Sequence, residues 1–482
     1  MDKLPSELIA DVLEMVVDTS FTKNLHESPT NDRSRPPLTL SHVNRTIRQI
    51  AVATPRIWTY IEVAGIFGTP SSRRDSLQAR LARSKACDID LLVDATNLCP
   101  EEITESMTFL SQHVDRWSSI TIRGDAAHPV TTTAVTALAR ALETAPARRL
   151  RFLDTAGMMD RGGSDVQLRV RGADRLVRLS VKQVEVEWSC VSSSLLEDLS
   201  LCGLGRMAGS SVVALVNVVR SSPHLLNLRI HNLEMEEDDM AAHGLGTIID
   251  LPVLTSLDLD DVALPVAHHL LTNIDSPMLQ HARLSVGGFP QDYDWASLSR
   301  SIGAAETVNW CRRKEGAVRR TEVQDARAGV MYEAVIQSAQ RATQLSLTHD
   351  DMSIRRWIHT AEHGGNGGPI MPALTSLECY DMKGCSIAEI RSLVKLRTAS
   401  SLSKLEKLSI SARDISMTAS AGRAMLEAQD EALAGLRRDV AELKIRDQRD
   451  MDSFRYTFLG WRDYQSYLRA GRELEYKQEM SD

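Results

Sequence analysis

One short pattern recurs through the middle of the chain and limits its fold more than any other feature. The pattern is Pro-x-Leu-x-x-apolar-x-apolar, and it begins at Pro223, Pro252, Pro277 and Pro372. Apolar residues at alternate positions are typical of a short strand with one buried face. Because a single strand cannot bury that face alone, repeated copies favour the stacking of many strands into one sheet.

Weaker copies of the pattern fill the intervals. The first apolar residue of each expected strand serves as its anchor, and the anchors are Ile120, Leu150, Leu179, Leu199, Leu228, Leu257, Ala282, Val308, Leu345, Leu377 and Leu408. Most neighbouring anchors lie about 25 to 32 residues apart, and several intervals have helical periodicity. This period is typical of leucine-rich repeats that alternate a strand with a helix.

The repeats therefore predict an α/β fold of the solenoid type. Parallel strands should line its concave side, and helices should cover the outside. Many leucine-rich repeats carry Asn at a position where this chain has Leu204, Leu233 and Val262. We therefore expect an irregular leucine-rich-repeat solenoid.

The amino-terminal 65 residues have a helical pattern instead. Pro5 suits the first position of a helix, and the apolar spacing after it predicts a helix over about residues 5 to 18. The polar, proline-containing stretch over residues 19 to 37 predicts a loop. The pattern then predicts a second helix over about residues 40 to 51 and a short strand over residues 59 to 63.

This helical segment resembles the F-box family. The matching residues are Leu4-Pro5-x-Glu7-Leu8 with Asp11-Val12-Leu13, Leu40-Ser41-His42-Val43-Asn44-Arg45 with Arg48-x-Ile50-Ala51, and Thr54-Pro55-Arg56-Ile57-Trp58. The chain departs from the family in its longer first loop, and Asn44 and Ile47 replace a frequent Cys and Trp. The resemblance implies a substrate receptor of an SCF ubiquitin ligase, in which the F-box docks on a Skp-family adaptor bound to a cullin.

The resemblance also implies which residues contact each partner. The implied adaptor-binding residues are Leu4, Pro5, Leu8, Ile9, Val12, Leu13, Leu40, Val43, Ile47, Ile50, Pro55 and Trp58. The repeats would bind an unknown target protein, and the chain itself would have no catalytic residue and no cofactor. The main alternative is a non-ligase repeat scaffold or protein-interaction module whose F-box-like hairpin caps the solenoid, and a third, weaker alternative is a metallopeptidase.

Target-binding candidates follow from strand geometry. Side chains between the apolar positions of a strand point to the opposite face of the sheet. These positions nominate Asn227, Arg229, His231, Ser256, Asp258, Asp260, Ser376, Glu378 and Tyr380. The acidic run from Glu234 to Asp239 either lies on a solvent-exposed loop without a specific role or attracts a basic partner.

Charge and cysteine content exclude several other classes of protein. Lys and Arg number 56 against 64 Asp and Glu, and the net charge of −8 argues against a nucleic-acid partner. We expect no membrane partner, because no apolar run approaches the roughly 18 residues of a spanning helix. The seven cysteines are scattered and never form Cys-x-x-Cys, which argues against a disulfide framework and a zinc site. With no export signal, these features favour the cytoplasm or the nucleus.

The segment His359-Thr360-Ala361-Glu362-His363 has the spacing of one class of zinc peptidase. A glycine run follows at once, and no third ligand is evident downstream. We therefore predict that this segment is a helix end and that the chain has no metal site.

The sequence predicts three domains. They are an F-box-like helical domain over residues 1–65, a leucine-rich-repeat-like solenoid over residues 66–446 and a helical tail over residues 447–482. Residues 422–445 suit either a last repeat or a short coiled coil. We favour a last repeat, with a helix through Asp439 and a strand over residues 440–445.

Between the F-box-like domain and the first anchor, three further elements should cap the solenoid. The apolar spacing predicts a helix over residues 74–84, a strand over residues 89–93 and a helix over residues 101–117.

Overall fold

The chain is a mixed α/β protein. A computed structural model describes residues 4–22, 35–65, 70–124, 129–155, 166–191, 194–235, 248–287, 299–311, 334–335, 338–348, 371–380, 386–399, 402, 404–411 and 423–446. The chain divides into two compact units, Met1–Pro277 and Met278–Asp482. Among the described residues, no helix is both long enough and apolar enough to cross a bilayer.

The first unit begins with a cluster of short helices. These are α1 (Ser6–Thr22), α2 (Arg35–Ser41), α3 (Arg45–Ala53) and a 3₁₀ turn over Pro55–Trp58. The prediction of one helix over residues 40–51 is wrong, because α2 ends at Ser41 and Asn44 caps the start of α3. Its side-chain oxygen accepts a hydrogen bond from the backbone N–H of Ile47 at 2.8 Å, which satisfies a free donor at the start of α3.

The predicted loop over residues 19–37 is also wrong at both ends. Helix α1 continues to Thr22, and α2 begins at Arg35. Pro36 and Pro37 fit inside the first turn of α2, where a missing backbone N–H costs no helical hydrogen bond.

The helices enclose a small apolar core. Its buried members are Ile9, Leu13, Val17, Ile47, Ala51, Ile57 and Trp58. The indole N–H of Trp58 donates to the carbonyl oxygen of Ala51 at 2.7 Å. The guanidinium of Arg83 lies 4.3 Å from the centroid of the Trp58 ring. Since Arg83 belongs to the next helix along the chain, this contact joins the helical cluster to the rest of the unit.

The rest of the first unit alternates strands and helices. The strands are β1 (Tyr60–Ala64), β2 (Ile89–Asp94), β3 (Trp117–Arg123), β4 (Phe152–Asp154), β5 (Gln167–Leu168), β6 (Arg178–Lys182), β7 (Glu185–Val186), β8 (Asp198–Met207), β9 (Asn227–Met235), β10 (Ile249–Asp250), β11 (Ser256–Ala263) and β12 (Ile274–Asp275). The helices are α4 (Pro70–Ser84), α5 (Pro100–Ser111), α6 (Pro129–Thr144), α7 (Gly209–Arg220) and α8 (Leu264–Asn273).

The longer strands of this unit form one parallel sheet. Their order is β1-β2-β3-β4-β6-β8-β9-β11, so each strand lies beside the next main strand along the chain. The two-residue strands pair separately, β5 with β7 and β10 with β12. The parallel sheet predicted from the repeats is confirmed.

The anchors lie in register across this sheet. Leu179 pairs with Leu199, which pairs with Leu228, and Leu228 pairs with Leu257. The anchor at Leu150 is wrong, because Leu153 is the residue that pairs with both Ile120 and Leu179. Leu150 is buried in the turn before β4.

Two further elements near the start of the sheet differ from the prediction. The helix expected over residues 101–117 ends at Ser111, and Trp117 begins β3. Trp117 is fully buried, so its apolar character reflects the core of the sheet rather than a helix face. Helix α4 and strand β2 occur where the sequence predicted them.

The second unit repeats the same arrangement. Its strands are β13 (His281–Gly287), β14 (Thr307–Cys311), β15 (Gln344–Thr348), β16 (Ser376–Tyr380), β17 (Lys407–Ser411) and β18 (Glu442–Arg446). Its described helices are α9 (Ser299–Ile302), α10 (Ile387–Ala399) and α11 (Arg423–Asp439). The strands pair in parallel in chain order, with Ala282, Val308, Leu345, Leu377 and Leu408 in register.

The end of the second unit confirms one of two alternatives for residues 422–445. Helix α11 packs on α10 and is followed by β18, whose Leu443 pairs with Leu408. The segment thus forms a last strand of the sheet, as favoured from the sequence, rather than a coiled coil. The predicted tail over residues 447–482 lies outside the described residues.

Candidate functional site

Helix α1 carries more apolar surface than its own core uses. Ile9, Leu13 and Val17 face the core and are buried. Five further apolar residues are 44% to 61% exposed, and together they are called the α1 surface: Leu4, Leu8, Val12, Met15 and Val16. The α1 surface is therefore an apolar strip that stays about half exposed in the part of the chain that the structure describes.

The width of the apolar arc on α1 is unusual for a surface helix. At about 100° per residue, the arc from Val17 to Met15 spans roughly 200°, whereas an amphipathic surface helix needs only about 100°. The acidic residues Glu7, Asp11 and Glu14 fall outside this arc. An arc this wide is typical of a helix that packs on two sides.

The structure separates the predicted adaptor-binding residues into three groups. Exposed members are Leu4, Pro5, Leu8, Val12 and Val43; half-buried members are Leu40, Ile50 and Pro55; buried members are Ile9, Leu13, Ile47 and Trp58. The buried members hold the helices together and so support the surface from below.

Sequence reasoning missed four exposed apolar residues of the helical cluster. They are Met15, Val16, Leu38 and Val52. The signal for the first two was present, because they continue the apolar arc of α1 past Val12.

The target-binding candidates of the first unit lie side by side on one sheet face. The residues between the buried positions of the main strands form this face, which is called the open face. Asp258 of β11 pairs with Arg229 of β9 in the strand register, and Asp260 pairs with His231. Asn227 and Ser256 are paired in the same way at the start of these strands. The structure thus brings all six candidates of this unit together.

The candidates of the second unit lie on β16. Glu378 is paired in register with Ser346 and Ser409, and its carboxylate is 3.4 Å from the Nζ atom of Lys407. Ser376 and Tyr380 occupy the two ends of the strand. These three positions alternate with the buried Leu377 and Cys379, as the strand pattern predicted.

An ion pair organises the β9–β11 part of the open face. The Nε2 atom of His231 is 3.0 Å from Oδ2 of Asp258, and both side chains are nearly buried. Burial alone would lower the pKa of His231. The contacts with Asp258 and Cys202 and the charges of Asp258 and Asp260 outweigh burial, and they raise the pKa of His231 to about 9. His231 is therefore a cation at neutral pH, and it neutralises Asp258.

A second cluster on the open face includes residues that sequence reasoning missed. Arg178 of β6 lies 3.4 Å from the carboxylate of Asp198 and about 6 Å from the ring of Phe152. Burial raises the pKa of Asp198, and the charges of Arg178 and Arg229 oppose this rise. The misplaced anchor at Leu150 hid only Phe152 of β4. Arg178 and Asp198 directly precede the correctly placed anchors Leu179 and Leu199, so the pattern that nominated Asn227 before Leu228 could have found them.

Metal chemistry has no support in the described part of the chain. No group of three or more His, Cys, Asp or Glu side chains there is arranged to hold a metal ion. The segment His359–His363, which has zinc-peptidase spacing, lies outside the described residues. The acidic residues 236–239 also lie outside them, whereas Glu234 is exposed near the end of β9.

Comparison with known proteins adds no relative. No protein-family model matches the chain, and no curated protein matches it. The function is therefore argued from the chain's own residues and their arrangement.

Proposed function

We propose that the chain is the substrate-receptor subunit of an SCF-type ubiquitin ligase. In this proposal the amino-terminal helices are an F-box, and the α1 surface docks on a Skp-family adaptor that is bound to a cullin. The observation that carries the proposal is the exposed half of the apolar arc on α1, in a segment whose residues resemble the F-box. The transfer of ubiquitin belongs to other subunits, so we assign no catalytic residue, metal or cofactor.

The energetics of α1 favour a permanent or frequent partner. In the chain without a partner, Leu8, Val12 and Met15 leave apolar area exposed to water. A partner that covers this area stabilises the complex by about 25 cal/mol for each Å² covered. The buried core behind these residues fixes their positions before the partner arrives. A preformed apolar strip of this kind suits an apolar groove or helix of the adaptor.

We also propose that the remaining strands and helices form an irregular leucine-rich-repeat solenoid that captures the target protein. The parallel strands with anchors in register, and the helices between them, support this proposal. The polar residues of the open face, including Asn227, Arg229 and Asp260, would contact the target. A ligase receptor of this kind would act in the cytoplasm or the nucleus.

The adaptor proposal is tested by shortening one side chain of the α1 surface. We expect Leu8→Ala to weaken binding of a purified Skp-family adaptor by at least about 30-fold, which corresponds to about 2 kcal/mol for an interface anchor. The melting temperature should change little, because Leu8 is half exposed. Binding is measured by titration calorimetry on the full chain.

The matched control is Leu195→Ala, which removes the same atoms from an exposed leucine in the turn before β8. This variant should bind the adaptor as the wild type does. Equal affinities of wild type and Leu8→Ala would contradict the proposed docking surface.

The alternative is a non-ligase repeat scaffold whose F-box-like hairpin caps the solenoid. It is favoured by the contact between Arg83 of α4 and Trp58 of the helical cluster, because a cap must pack on the first repeat. The two functions differ in one measurement. Absence of adaptor binding by the wild-type chain at micromolar concentration would support the scaffold.

A further inference from the structure

We propose that the open face over β6, β8 and β9 binds an extended acidic segment, in which two carboxylates or phosphates lie four residues apart. Its role as the target site rests on the proposed function, but the binding itself does not. The proposal is argued from two exposed arginines, Arg178 and Arg229, and from two serines, Ser180 and Ser200, that lie near them on the same face.

Arg229 is the centre of the proposed site. Its side chain is exposed, and it forms no hydrogen bond or ion pair with any other described residue. Its register neighbours are Ser200 on one side and Asp258 on the other, and Asp258 is already paired with His231. The charge of Arg229 also acts on the carboxylate of Asp198, but no hydrogen bond between the two holds the guanidinium there. The guanidinium can therefore present two parallel N–H donors to one carboxylate or phosphate.

Arg178 provides the second cation. Its side chain is 55% exposed, whereas that of its partner Asp198 is only 18% exposed. The carboxylate therefore lies below the guanidinium, which holds Arg178 in place and leaves donors facing solvent. The ring of Phe152, about 6 Å away, gives the guanidinium a second support.

Two serines and the mostly buried Asp198 lie between the two arginines. Ser180 and Ser200 are adjacent in the strand register, and Ser200 is adjacent to Arg229. All are on the open face, where a backbone segment can approach the sheet closely. Asn227 lies beside Asp198 in the strand register, two residues before Arg229, and its amide can hydrogen-bond a peptide backbone.

The spacing of the arginines selects the spacing of the acidic residues. Arg229 lies two strands across from Arg178 and two residues further along the strand direction. Neighbouring strands are about 4.8 Å apart, and each residue rises about 3.3 Å along a strand, so the two Cα atoms are roughly 12 Å apart. In an extended peptide, residues i and i+4 share one face and lie about 13 Å apart. Residues i and i+2 lie only about 7 Å apart and cannot reach both guanidinium groups in the same way.

The experiment measures the fluorescence anisotropy of labelled 12-residue peptides titrated with the full chain. One peptide carries Glu at i and i+4, a second carries phosphoserine at the same positions, and a third carries Glu at i and i+2. We expect the i and i+4 peptides to bind at least about 10-fold more tightly than the i and i+2 peptide. If only phosphoserine binds, the acidic group is a phosphate; if both bind, any oxyanion suffices.

Variants link the binding to the two arginines. Arg229→Gln and Arg178→Gln should each weaken the i and i+4 peptides by about 10-fold or more, since each removes a charge-assisted contact. Arg175→Gln is the matched control, because Arg175 is an exposed arginine in the turn before β6. It should leave binding unchanged. Arg229→Glu should instead favour a peptide in which one Glu is replaced by Lys.

Two outcomes would overturn the proposal: unchanged binding by Arg229→Gln, or tighter binding of a Lys-Lys peptide than of the Glu-Glu peptide by the wild type. Adaptor titration on the same protein separates the two proposals. Adaptor binding without acidic-peptide binding rejects only this inference, and the reverse result rejects only the ligase function.

Discussion

At the scale of single residues, two histidines show how the repeats tune charge in opposite directions. Burial alone would lower the pKa of His231, but the contacts with Asp258 and Cys202 and the charges of Asp258 and Asp260 outweigh it and raise the pKa to about 9. Burial, followed by the positive charges of Arg220 and His268, lowers the pKa of His269 to about 4. Neither value could be predicted from the sequence, because burial and the neighbours Asp258, Cys202 and Arg220 depend on how separate strands and helices pack together.

The raised pKa of His231 predicts a loss of stability at alkaline pH. An unfolded histidine titrates near pH 6.5, so the contribution of His231 is complete below about pH 6.5 and is lost as the pH rises through about 9. We expect the difference in unfolding free energy between wild type and His231→Gln to shrink by on the order of 2 to 3 kcal/mol between pH 6 and pH 9.5. Urea unfolding at the two pH values measures it.

The exposed His224 provides the control for this experiment. His224→Gln should change stability by a similar small amount at both pH values. A His231→Gln effect that is constant from pH 6 to pH 9.5 would show that the ion pair with Asp258 does not control the charge of His231.

At the scale of elements, the sequence predicted strands better than the turns between them. The anchors succeeded because buried leucines recur in register, whereas Leu150 failed because the repeat contains a second buried leucine three residues earlier. That leucine closes a turn in which its N–H donates to the carbonyl oxygen three residues back, as in Leu150 to Ala147, Leu176 to Ala173 and Leu225 to Ser222. The two leucines are equally apolar, so periodicity alone could not distinguish them.

A bulge in β8 gives a prediction about this element. The register shifts between Cys202 and Gly205, and both Gly203 and Gly205 have positive φ angles, of 67° and 65°. Alanine at either position adds backbone strain of about 1 kcal/mol. At Gly203 the added Cβ would also lie 2.5 Å from Cγ of Gln183, whereas at Gly205 it meets no atom within 4 Å.

We therefore expect Gly203→Ala to destabilise the protein by at least about 1 kcal/mol more than Gly205→Ala does. Urea unfolding of the two variants measures the difference, with Gly205→Ala as the control for the shared backbone strain. Equal destabilisation would mean that Gln183 moves aside without cost.

At the scale of the whole molecule, the sequence predicted the parallel sheet but not which surfaces stay exposed. The repeat period is visible in the sequence because each strand must bury the same face. The division of the chain near Pro277 was not predicted, because Pro277 continues the repeat pattern without interruption. The exposure of the α1 surface was foreseen only in part, since it depends on how few residues of the helical cluster are available to cover it.

The last prediction tests the repeat architecture through Leu228, which is fully buried in β9 and pairs with Leu199 of β8 and Leu257 of β11. Leu228→Ala should destabilise its surroundings by about 2 to 5 kcal/mol, the usual cost of a large-to-small change in a core. In a repeat array each repeat contacts only its neighbours, so hydrogen exchange should accelerate most in β8, β9 and β11 and least in β2. Leu226→Ala, at an exposed position two residues away, should leave exchange unchanged. Uniform acceleration across the first unit would instead indicate one cooperative core and would reject the repeat architecture.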